Sequence, residues 1–153
     1  MKKWLCLLLA LVFVMAVVPA ASAADDDISF TSQVIPAMKY SVSQWMSSET
    51  NRCVFAIAMI VELGGNGIIK IDDLDFSRDQ YIAYVGNYII YACGHKKGYM
   101  LVVYDNTTGS GLLNFTNTTS STTMKSTIQK VDGVKVYKID LATFTSVVKS
   151  LSK

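Results

Sequence analysis

Two side chains of the sequence could take part in one catalysed reaction. They are the thiol of Cys53 and the imidazole of His95, the only histidine of the chain. A thiol becomes a nucleophile when a neighbouring base or a helix N-terminus favours its deprotonated form. Cys53 falls at the start of an apolar run that predicts a buried helix, and His95 lies in a turn between two predicted strands. Together they would supply a nucleophile and a base for thiol-dependent hydrolysis.

This order of residues resembles the papain-like cysteine peptidases, which place the nucleophile at the start of a buried helix and the base on a later strand. The segment from Gly98 to Asp105 resembles the histidine strand of that superfamily, with Tyr99 where the strand would begin with histidine. The resemblance implies a secreted thiol hydrolase that uses Cys53 and His95. This hydrolase is the alternative to the function that we expect, that of a small exported non-enzymatic binding or interaction protein.

Cys53 and Cys93 also predict a disulfide, because cysteines of exported proteins are commonly oxidised in pairs. Two buried free thiols, or a reactive cysteine, are the alternatives. The bond would close a loop of about forty residues, contribute roughly 3–4 kcal/mol and remove the nucleophile. Cys93 and His95 share a strand face, but Cys53 would bring the number of ligands only to three, fewer than a structural zinc site requires. We expect no metal and no cofactor.

The first 23 residues have the order of a secretory signal peptide. Lys2 and Lys3 precede an apolar run over residues 4–18, and Ala21-Ser22-Ala23 provides the small residues before a cleavage site. An uncleaved membrane anchor and cleavage after Ala24 are the alternatives. The short signal is typical of bacteria, and we expect a secreted or cell-envelope protein that meets the membrane only before cleavage.

Cleavage after Ala23 leaves 130 residues, a usual size for one domain. The total of 14 basic residues falls to 12 without Lys2 and Lys3, which equals the 12 acidic residues. A balanced charge does not favour nucleic acid as a partner. We expect a disordered acidic tip over residues 24–31 and a single globular domain over residues 32–153.

Hydrophobic periodicity and turn residues predict an α+β fold: N-terminal helices packed on an antiparallel meander of four to five strands, with a C-terminal helix. Helices are expected over 32–47, 52–63 and 121–130, and a last one after Asp140. A short strand is expected over 68–71. The meander should comprise Tyr81–Val85, Tyr88–Cys93, Tyr99–Tyr104 and Leu112–Phe115, followed by a strand over 134–139.

Pairing across the predicted turns assigns side chains to the two faces of the meander. A second turn over residues 94–98 would place Cys93 opposite Tyr99 and on the face covered by the buried helix. The opposite face would lack a cover and form an apolar binding surface for a protein or a second copy of the chain. Its predicted residues are Tyr81, Tyr88, Met100, Val102 and Tyr104. The alternative is that these tyrosines are ordinary strand residues covered by helices.

Overall fold

The computed structural model of the protein describes residues 31–34 and 40–152. The predicted signal peptide lies outside this range, and so does the acidic tip except for its last residue. The described residues form four helices and a seven-stranded antiparallel sheet, which confirms the α+β class. Within the described part of the chain, no helix is both long and apolar enough to cross a membrane.

The helices are α1 (Val42–Trp45), α2 (Glu49–Gly65), α3 (Ser121–Gln129) and α4 (Leu141–Leu151), with a 3₁₀ turn over Ile71–Asp73. The strands are β1 (Thr31–Val34), β2 (Leu74–Asp75), β3 (Tyr81–Val85), β4 (Tyr88–His95), β5 (Gly98–Asp105), β6 (Ser110–Thr116) and β7 (Lys135–Lys138). The path of neighbouring strands is β1-β6-β5-β4-β3-β7, and β2 pairs with the end of β4.

The predicted N-terminal helix is wrong over its first residues, because Thr31–Val34 is a strand that pairs with β6. This pairing satisfies the backbone groups of β6 that would otherwise form an open sheet edge. Among the described residues of this segment, Val42–Trp45 is helical, and Ser41 and Gln44 form a capping box at its start. Residues 35–39 lie outside the described range.

The remaining helix predictions agree with the structure apart from their ends. Helix α2 begins three residues before the predicted start, and Ser48 caps it by accepting the backbone N–H of Asn51 at 3.1 Å. The predicted strand over residues 68–71 is wrong, since Ile71 begins a 3₁₀ turn. Asp140 caps α4 as expected and accepts the N–H of Thr143 at 2.9 Å.

The register of the first hairpin is confirmed, with Tyr84 opposite Ile89 and Val85 opposite Tyr88. The register of the second hairpin differs by one residue. His95 pairs with Gly98 around a turn of Lys96 and Lys97, which places Cys93 opposite Met100. Side chains alternate along a strand, so this shift moves every β5 side chain to the face opposite the predicted one.

Both faces of the sheet are buried. On one face, α1, α2 and Phe144 of α4 share a cluster with strand side chains that include Tyr91, Met100 and Tyr104. On the other face, Met124 and Ile128 of α3 join a second cluster. An edge-to-face series of rings links the first helices to β5. Its members are Tyr40, Trp45, Phe55 and Tyr104, with centroid distances of 4.9, 5.3 and 5.6 Å.

Candidate binding groove

The five residues predicted to form one binding face lie on both faces of the sheet. Met100, Val102 and Tyr104 belong to the cluster shared with α2, whereas Tyr81 and Tyr88 belong to the cluster with α3. Tyr88 is half-buried, and the other four are at most 3% exposed. The prediction of an open tyrosine face is therefore wrong, because the register shift divides the set and helices cover both faces.

Cys53 and Cys93 are both buried free thiols, so the structure does not contain the predicted disulfide. The Cys53 thiol is directed to the Glu49 carboxylate, with Sγ 3.9 Å from Oε1. Cys93 lies on β4 in hydrogen-bonding contact with Tyr91. Each thiol thus has a polar neighbour other than the second cysteine.

The environment of Cys53 disfavours a nucleophilic thiolate. Burial, together with the nearby carboxylates of Glu49 and Asp140, raises the pKa of its thiol to about 11, against a smaller opposing effect of Arg52. Cys53 also lies in the second turn of α2, since the helix begins at Glu49, and helix N-terminal stabilisation is confined to the first turn. The thiol is protonated at neutral pH.

His95 occupies a site separate from Cys53. Its ring packs against Phe115 at 4.7 Å between centroids, and its Nδ1 accepts the backbone N–H of Lys97 at 3.2 Å. Among the described residues, no hydrogen bond or electrostatic contact joins His95 to Cys53. The same residues contain no group of three His, Cys, Asp or Glu side chains placed to hold a metal ion.

Thiol chemistry gives a first testable prediction. Burial raises the pKa of Cys93 to about 12, so both thiols should react slowly with Ellman's reagent in the folded protein. Denaturation without a reductant should then release both as reactive thiols. Rapid reaction of Cys53 in the folded state would contradict this account, and so would the absence of reactive thiols after denaturation.

A second prediction concerns pH and His95, which is 4% exposed. Burial lowers the pKa of His95, and the cations of Lys97, Lys96 and Arg78 lower it further, against the opposing effect of Asp73. Below the ordinary histidine pKa of about 6.5, the unfolded chain therefore binds a proton that the folded chain resists. The free energy of unfolding should decrease as pH falls from about 7 to about 5.

Urea unfolding at a series of pH values measures how the free energy of unfolding depends on pH. His95→Asn is the matched variant, because its side-chain oxygen can accept the Lys97 N–H without titrating. Its stability should change less with pH over the same range. An identical pH dependence in both proteins would show that His95 does not cause it.

A groove lined mainly by apolar side chains lies between α2 and α4. The two helices begin side by side, because Glu49 Oε1 accepts the backbone N–H of Asp140 at 2.7 Å. Arg52 strengthens this junction by pairing with Glu49 at 3.0 Å and stacking over the Tyr137 ring at 4.1 Å. These contacts fix the helix starts, and the apolar side chains farther along the helices face a shared cleft.

This cleft, the α2–α4 groove, has a volume of about 440 Å³. Ile60 and Phe144 are each 5% exposed, whereas Val61 and Leu141 are 58% and 56% exposed. The groove therefore combines buried apolar residues with exposed apolar ones. It is lined by Ile57, Ile60, Val61, Ile71, Phe76, Leu141, Phe144, Thr145, Val148 and Lys149.

The exposed large apolar side chains of the described residues concentrate at this groove. Four of the six line it, and Leu151 extends the same stripe of α4. Within this stripe only Phe144 is buried, and its ring packs against Phe76 at 5.5 Å between centroids. The other members of the stripe remain exposed because α4 packs beside α2.

A second cleft of about 460 Å³ lies where the end of β7 meets the loop before β3, and both polar and apolar residues line it. Its charged groups already have partners within the protein. Arg78 donates to the carbonyl oxygens of His95 and Gly98, and Lys138 pairs with Asp79 at 3.5 Å. The α2–α4 groove is therefore the better candidate for a binding site.

Comparison with known proteins gives no family for this α+β domain: no family model matches the chain, and no curated protein or solved structure matches it.

Proposed function

We propose that this protein is a small exported, non-enzymatic binding protein and that the α2–α4 groove is its binding surface. The observation that supports the proposal is the concentration of exposed Val61, Ile71, Leu141 and Val148 around one cleft. Contiguous apolar patches on soluble domains commonly mark binding sites, because exposing them to water is unfavourable. The groove replaces the sheet face as the proposed surface.

Export is the other part of the proposal, and it is supported by the order of basic, apolar and small residues in the first 23 positions. We expect the secreted protein from a bacterial host to begin at Ala24. Mass spectrometry of the culture or envelope fraction measures this directly. An intact Met1 in that fraction would contradict cleavage.

The groove can be tested with anilinonaphthalene sulfonate, a dye whose fluorescence increases on apolar protein surfaces. The secreted protein should bind it saturably, and Val61→Glu should weaken binding by about tenfold, because a charge at the groove opposes an apolar ligand. The matched control is Thr122→Glu, at an exposed position of α3.

Both substitutions are at exposed positions and should change stability by at most about 0.5 kcal/mol. A comparable melting temperature for the two variants checks this. Equal dye binding by Val61→Glu and the wild type would show that the groove is not the binding surface. The proposal of a groove-binding protein would then fail.

A further inference from the structure

The chemistry of the α2–α4 groove narrows the class of ligand. Its lining is apolar apart from Thr145 and Lys149, and Lys149 is its only charged residue. Within the described parts of the chain, no carboxylate forms an ion pair with Lys149. The groove therefore offers one available positive charge beside an apolar surface.

The size of the groove agrees with a small ligand. Its volume of about 440 Å³ lies within the usual range for small-molecule sites, ~300–1,000 Å³. Such sites typically combine an apolar lining with a few polar groups that fix the orientation of the ligand. Lys149, on α4, is the candidate for that role here.

We infer that the groove binds a single-chain carboxylate amphiphile, with its alkyl chain against the residues of α2 and α4 and its carboxylate at Lys149. The alkyl chain removes Ile60, Val61 and Leu141 from water. The carboxylate supplies the charge that Lys149 lacks within the protein. This inference rests on the proposed function and specifies the ligand for the same groove.

Isothermal titration calorimetry on the secreted protein tests the inference with decanoate, dodecanoate and tetradecanoate. Each pair of added methylene groups should tighten binding by about fifteenfold while the chain still fits the groove. Among compounds with the same alkyl chain, dodecanoate should bind roughly fivefold more tightly than dodecanol. Dodecylammonium should bind more weakly than dodecanol, because its charge repels Lys149.

Lys149→Gln should abolish the preference for dodecanoate over dodecanol and leave the melting temperature unchanged. Equal binding of dodecanoate and dodecanol by the wild type would overturn the carboxylate inference and leave the apolar groove as a binding surface. The free protein could instead sediment as a dimer that Val61→Glu dissociates. This result would overturn the carboxylate inference and show that a second copy of the chain occupies the groove. Absence of binding by all three dodecyl compounds, together with equal dye binding by Val61→Glu and the wild type, would overturn both proposals.

Discussion

Replacing Tyr104 with serine is expected to lower the free energy of unfolding by about 3–5 kcal/mol, the usual effect of removing a large buried aromatic side chain. Tyr104 is 1% exposed, and its ring meets Phe55 of α2 at 5.6 Å between centroids. Serine would leave a cavity between α2 and β5 that the packed surroundings can fill only partly. Urea unfolding of both proteins measures the difference.

The control for this prediction is Tyr88→Ser, on the other face of the sheet and only half-buried. We expect Tyr88→Ser to lower the free energy of unfolding by less than Tyr104→Ser does. If Tyr104→Ser kept the stability of the wild type but weakened self-association or ligand binding, Tyr104 would belong to an open surface. That outcome would restore the sheet face as a binding site.

Replacing Gly98 with alanine is the second substitution with a large expected effect. Gly98 has a φ of +139°, and an added Cβ would lie 2.1 Å from the carbonyl oxygen of Thr116. The atom that it would meet belongs to the backbone, and a Cβ is held rigidly by its own Cα, so relief requires β5 and β6 to separate. We expect a loss of at least ~3 kcal/mol, or failure to fold.

Gly86→Ala separates the effect of close approach from the effect of backbone conformation. Gly86 also has a positive φ, of +58°, but an added Cβ would meet no atom within 4 Å. This variant should lose only about 1–2 kcal/mol, the cost of a left-handed conformation. Equal losses for the two variants, measured by urea unfolding, would show that the Thr116 contact is unimportant.

The meander could be predicted from the sequence because local signals specify it. Gly86-Asn87 separates two runs rich in Tyr and Ile, and the register of that hairpin follows from its short turn. Asp140 similarly identifies the start of α4, since a capping carboxylate acts within one helical turn. These features depend on residues close together in the chain.

The register of the second hairpin could not be predicted because it depends on a distant segment. Gly94 was interpreted as a turn residue, but it lies within β4, where β2 pairs with Gly94 and His95. An added Cβ at Gly94 would lie 2.4 Å from the carbonyl oxygen of Asp75. The glycine therefore permits the close approach of β2, which is a tertiary role rather than a turn.

The sequence does not predict the groove, because the apolar surface of a helix is usually buried. The sequence of α2 is apolar nearly all round, which predicts complete burial, yet Val61 is 58% exposed. The signal that could have identified the groove was the combination of this helix with the apolar stripe of α4. The shortened first helix does not cover these two surfaces.

We expect ligands to bind the α2–α4 groove, and methyl NMR tests this at the level of single residues. Titration of the protein with dodecanoate should shift the methyl signals of Ile57, Val61, Leu141 and Val148. The signals of Val102 and Leu101, buried on opposite faces of the sheet, should remain unchanged. Shifts at Val102 or Leu101 without shifts at the groove would contradict binding in the α2–α4 groove.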